Sequence, residues 1–192
     1  MCIEIENYKQ HDLFNYFDYN QIDTEELLNT LLNNPEYSLK LNKRRVPVME
    51  IAKVLGFTIY TTKFNNYNVK ATIGISNQLI NKYKSDKVII LSNEYTDEEI
   101  LFSLCYELAH YIYDSNPSDE YSHTYRINDI EPRTIRFADA LLMPLTSFKE
   151  AYTELSHNIN DLELLIRALS DTFNASQVAV QRRLKQVINT KL

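Results

Sequence analysis

Five consecutive residues, Tyr106-Glu107-Leu108-Ala109-His110, carry the strongest chemical signal in the chain. Two histidines at i and i+4 of one helix aim their imidazoles at a single zinc ion, and a glutamate after the first polarises the attacking water. Here the glutamate and the second histidine are present, while Tyr106 stands where the first imidazole belongs. Neutral imidazole offers zinc a lone pair at pH 7, whereas a phenol of ordinary pKa about 10 must first lose a proton. Glu107 is therefore a candidate general base and His110 a candidate zinc ligand. Tyr106 is a ligand only at a disadvantage.

The element that must position these groups is a helix. Thr96 and Glu99 form a capping box ahead of Ile100, Leu101, Leu104, Cys105, Leu108 and Ile112, whose three- and four-residue spacing makes one apolar stripe. Tyr106, His110 and Tyr113 share a neighbouring face with Glu107 beside them, as in a helix that floors a cleft. Before it, Asp23 and Glu26 predict a capped helix through Leu27, Leu28, Leu31 and Leu32. Val48, Ile51, Ala52 and Leu55 predict another, opened by Pro47 and closed by Gly56 in a left-handed conformation. Residues 57–63, 69–76 and 87–92 read as three strands. Beyond it, residues 115–129 read as a polar loop containing Pro117 and His123. Pro132 then opens a helix that Pro144 stops, and three more follow, capped by Ser147, Asn160 and Ser176. Residues 1–22 show no sustained period and read as an irregular arm or a short helix around Leu13 to Phe17, and Lys43, Arg44 and Arg45 read as a solvated connection.

Composition narrows the function. The chain has 192 residues, 44% of them hydrophobic, enough for one substantial core with a helical appendage. No stretch approaches the roughly 18 apolar residues of a membrane span, and the amino terminus lacks a signal-peptide pattern, so the reading is cytoplasmic with no membrane partner. Cys2 and Cys105 suggest neither a disulfide nor a cysteine metal site. Only two glycines occur, which excludes a glycine-rich phosphate loop. A net charge of −6 argues against a nucleic-acid-binding surface at large. Residues 165–184 nonetheless have a helix-turn-helix look, with Arg182 and Arg183 on the second helix as candidate partner- or nucleic-acid-binding residues.

Ile51-Ala-Lys-Val-Leu-Gly56, Val88-Ile-Ile-Leu-Ser92, Phe102-Ser-Leu-Cys-Tyr-Glu-Leu-Ala-His-Tyr111, and Glu131 followed by Phe137-Ala-Asp-Ala-Leu-Leu-Met-Pro144 together resemble the ImmA/IrrE family of metallopeptidase-like regulators. The resemblance covers roughly residues 46 to 187 and implies an α+β, minimal zincin-like fold. It would comprise a small three-stranded sheet, an active-site-type helix and a helical C-terminal part. The corresponding division is an N-terminal extension over 1–45, a zincin-like core over 46–144 and a helical subdomain over 145–192. By the same resemblance Glu131 supplies a zinc ligand beside His110, with Glu107 as general base. The implied partner is another protein, such as a helix-turn-helix transcriptional repressor or a host factor, in the regulation of a phage or other mobile element.

At position 106 four outcomes are open. Tyr106 binds zinc as a phenolate, His123 swings in, a partner protein completes the site, or Tyr106 hydrogen-bonds Glu131 or His110 in a metal-free cleft. Losing a group that only orients a ligand costs about 10–100-fold in metal affinity, and losing a ligand at least as much. The reading is accordingly a regulator that recognises a partner protein with impaired or lost peptidase activity. An active zinc peptidase cleaving a repressor is the first alternative, and a DNA-binding regulator acting through the C-terminal helices is the second.

Overall fold

Helix α4, Asp97–Asp114, begins as its sequence demands. Thr96 Oγ1 accepts the Glu99 backbone N–H at 3.4 Å, and the Glu99 carboxylate accepts the Thr96 N–H at 3.3 Å. Asp97, Glu98 and Glu99 put negative charge at the positive end of the helix dipole. Every residue from Ser103 to Ile112 is buried, so the expected apolar stripe is one side of a helix covered all round. The computed structural model describes residues 24–42, 44–116 and 119–189. The expectations for residues 1–23, including the Asp23 cap and Cys2, and those for Lys43 and Pro117 lie outside the described residues.

Helix α4 packs on a sheet of β1 (Thr58–Thr62), β2 (Val69–Ile75), β3 (Lys87–Ser92) and β4 (Tyr121–Arg126), in the order β1-β3-β2-β4. β1 and β3 are parallel, and β2 runs antiparallel to both β3 and β4. The interior strand β3 is apolar on both faces, with Val88, Ile89 and Leu91 buried, whereas β2 buries alternate residues Val69, Ala71 and Ile73. Four strands stand where three were expected. The fourth lies within the supposed polar loop, where Tyr121, His123 and Tyr125 alternate with Ser122, Thr124 and Arg126.

Two helices precede the sheet, α1 (Thr24–Asn33) and α2 (Val48–Val54). α2 ends in a Schellman turn: Gly56 has φ 88°, its N–H bonds Lys53 O, and the Phe57 N–H reaches back to Ala52 O. A short helix α3 (Leu79–Tyr83), not expected from the sequence, leads into β3. The chain closes with α5 (Pro132–Leu142), α6 (Leu145–Ser156), α7 (Leu162–Phe173) and α8 (Gln177–Asn189). Two caps differ from expectation. α6 starts directly after Pro144, which leaves Ser147 inside it, and α7 is capped by Asp161, whose carboxylate accepts the Leu164 N–H at 2.9 Å. Ser176 does cap α8, accepting the Ala179 N–H at 3.3 Å.

One apolar cluster takes in Leu27, Leu28 and Leu31 of α1, the inner face of the sheet, α4, and Leu165, Leu169 and Phe173 of α7. Ion pairing completes the attachment of α8. Arg182 lies 2.8 Å from each oxygen of the fully buried Asp139 on α5, and Arg183, itself buried, donates to Met143 O at 2.9 Å. The basic connection near residue 45 is similarly engaged: Arg44 pairs with Glu154, and Arg45 donates to the backbone carbonyls of Asp171 and Thr172 at the end of α7.

Candidate metal centre

Glu107, His110 and Asp114 occupy one face of α4 at i, i+3 and i+7, a spacing that aligns side chains along a helix. Alternation on the neighbouring strand β4 turns Tyr125 and His123 toward that face. Glu131 sits at the N-cap of α5, where Thr134 Oγ1 donates to its carboxylate at 3.3 Å. Three consecutive elements, α4, β4 and the start of α5, therefore deliver one group each to the same point. The ligand atoms of His110, His123 and Glu131 all lie within 4.8 Å of one another.

Carboxylates hold both imidazoles. His110 Nδ1 is 2.6 Å from Asp114 Oδ2, and His123 Nδ1 is 2.8 Å from Glu107 Oε2. The two rings stack with centroids 3.6 Å apart and planes 18° from parallel. Such a carboxylate fixes Nδ1 as the protonated nitrogen and leaves the Nε2 lone pair free. His110 Nε2 is buried and has no hydrogen-bond partner among the described residues. It lies 3.4 Å from Glu131 Oε2, within ion-pair range but without hydrogen-bond geometry. That separation is also what two ligands span across a tetrahedral ion bound at about 2.0–2.1 Å to each.

Glu107 is wholly buried. Its Oε1 accepts the Tyr125 backbone N–H at 3.0 Å, so with His123 on Oε2 each oxygen has a partner. For His123, burial acts to lower the pKa but is outweighed by the hydrogen bond and charge of Glu107, with Glu131 and Asp129 adding to the net upward shift. Tyr106 is 0% exposed and stacks on Tyr125 with centroids 4.0 Å apart. The hydrogen bond expected from its hydroxyl to Glu131 or His110 is not formed, and the hydroxyl has no partner among the described residues. Burial, then the charge of Glu131, pushes its pKa well above the ordinary phenol value. Tyr125 is pushed up to about 12, chiefly by burial.

The donors fit a zinc-class ion. Two imidazoles and a carboxylate form the common three-ligand set of an open zinc site, and an orphaned buried nitrogen is what such a set would show around the ion's position. The fold thus brings together His110 and Glu131, both expected, places Glu107 behind them, and adds His123. In the sequence His123 is one rescue among several. The ring alternation at 121, 123 and 125 was the signal of its placement.

The fold and site can be set beside known proteins. The model of a peptidase family, described as the IrrE N-terminal-like domain, matches residues 52–185. A solved structure described as a Mycobacterium tuberculosis transcriptional regulator superposes with a TM-score of 0.50 at 14% identity, over 91% of this chain and 50% of that one. The chain spans about half the length of that structure, and the likeness shows the fold alone. No curated protein matches. Matched over well more than half of its length, the chain belongs to the family of the IrrE N-terminal-like domain.

Proposed function

We propose that this chain is a regulatory member of its family that recognises another protein, such as a helix-turn-helix repressor, without cutting it. The observation that carries this reading is the engagement of Glu107. A general base must come within about 2.6–3.2 Å of the proton it takes, directly or through one water. The Glu107 oxygens are instead occupied by His123 Nδ1 and the Tyr125 N–H, and the side chain has no exposed surface. A zinc ion held by His110, His123 and Glu131 would supply Lewis-acid polarisation of a bound carbonyl or carboxylate oxygen.

The chain's own residues then orient rather than react. Asp114 and Glu107 fix the imidazoles, and Glu131, whose side chain is about half exposed, marks the open side of the cleft. Ile127 and Ile130, on the connection that leads into Glu131, are exposed and offer apolar surface suited to a protein partner. The expected DNA contact through Arg182 and Arg183 is disfavoured, because both guanidinium groups bond within the chain.

The test compares the zinc-loaded chain with its Glu107→Gln variant on labelled denatured casein and a random peptide library, read by mass spectrometry. The expected result is no cleavage above background for either. Peptide cleavage by the parent chain that is abolished in Glu107→Gln would establish the peptidase reading instead.

A further inference from the structure

We infer that the first ligand of the metal centre has moved from helix to strand: His123 of β4 replaces the imidazole missing at Tyr106, and Glu107 is the positioning carboxylate that holds it. The inference deepens the proposed function and rests on that reading only for the duty of Glu107.

Geometry carries the assignment. The two imidazoles are treated alike, His110 by Asp114 and His123 by Glu107, and the two carboxylates sit two helical turns apart on the same face of α4. Each Nδ1 is bound to an acceptor, which leaves both Nε2 atoms as donors with Glu131 as the third; because the rings stack, at least one imidazole turns on loading so that both in-plane lone pairs meet the ion. The alternative donor is held elsewhere. The wholly buried Tyr106 ring stacks on Tyr125 with centroids 4.0 Å apart, and its centroid lies 5.1 Å and 6.2 Å from those of His110 and His123. A glutamate in the general-base position of the motif has thereby become part of the ligand sphere's support. Loss of one helical imidazole has changed the role of its neighbour.

The experiment measures zinc affinity of the purified full chain by competition with a chromophoric chelator, and reads coordination from the visible spectrum of the cobalt form. Melting temperatures of the metal-free proteins serve as the folding control. Three variants decide the matter. His123→Ala should weaken zinc by about 100-fold or more and diminish the cobalt bands; Glu107→Gln should weaken it by about 10–100-fold, while the metal-free protein still unfolds cooperatively at a lowered melting temperature. Tyr106→Phe, which deletes only a hydroxyl, should leave zinc affinity unchanged. If Tyr106→Phe abolishes zinc binding while His123→Ala retains it, the phenolate is the ligand and the inference is overturned. Unchanged affinity in Glu107→Gln overturns the positioning role. Should His123→Ala fail to fold, His123→Asn and Glu107→Gln separate the same two outcomes. No substrate enters these measurements, so a failure here is distinct from the peptide cleavage that would overturn the proposed function.

Discussion

Truncating Arg182 to alanine tests whether the C-terminal helices hold the fold together or present a binding surface. The guanidinium meets both oxygens of Asp139, which is 0% exposed in the intact chain, at 2.8 Å; its removal would leave that carboxylate without its ion-pair partner and with only the nearby charge of Arg183 to offset burial. Removing one partner of a buried pair costs about 3–5 kcal/mol. The Arg182 side chain is 35% exposed, so solvent screens part of the interaction and the lower end, about 3 kcal/mol, is expected. At about 2–4 °C per kcal/mol for a chain of this size, the melting temperature should fall by roughly 6–12 °C. Burial raises the Asp139 pKa, and Arg182 partly offsets the rise. A folded-state pKa above the unfolded value means that the native form takes up the proton first as pH falls, which favours folding through that window. Losing Arg182 raises the Asp139 pKa further, so the penalty should be greatest at neutral pH and shrink as pH falls. Urea titrations of parent chain, Arg182→Ala, Asp139→Asn and the double variant across pH measure this directly. A neutral-pH loss below about 1 kcal/mol, the size of an exposed pair, would refute the structural role.

Four further outcomes follow from the same geometry. Tyr106→His should raise zinc affinity at least about 10-fold without creating peptide cleavage, because Glu107 remains bonded to His123 and Tyr125; chelator competition and the casein assay check the two halves. Asp114→Asn should weaken zinc by about 10-fold or more without lowering the metal-free melting temperature, since a negative charge in the last turn of α4 opposes the helix dipole by about 0.3–1 kcal/mol; calorimetry and zinc titration report both. Thr96→Ala, which removes the α4 cap, should cost about 1 kcal/mol in urea denaturation. Leu104→Ala, at a fully buried position of α4, should cost about 2–5 kcal/mol in the same assay, and a smaller value would mean that the surroundings collapse into the space.

Patterns contained within one element were legible in the sequence. The capping box of α4, the left-handed Gly56 and the proline-opened α5 are local events set by a few adjacent residues, and each stands where the spacing put it. Strand β4 was not, because its alternation spans only Tyr121 to Arg126 and is flanked by polar residues such as Asp119 and Asp129. The centre depends on a meeting of residues 107, 123 and 131 that no single periodicity describes, since sheet pairing places β4 beside α4. Arg182 and Arg183 illustrate the converse. Basic residues on an apparent recognition helix look free until the buried Asp139 and the Met143 carbonyl are seen opposite them.

An imidazole mounted on β4 is subject to a rule of odd and even. His123 lies opposite Ile73, and successive residues of a strand face opposite ways. Deleting or inserting one residue just before it would throw the ring to the far side of the sheet, whereas the same change in a helix turns a side chain by only about 100°. The irregularity of β2 between Val69 and Ala71 falls toward the other end of the pairing, opposite Tyr125 and Arg126, and the count is unbroken from Thr72 to Ile75. Whatever chemistry this cleft performs is therefore more vulnerable to a shift in chain length around β4 than to many substitutions within it.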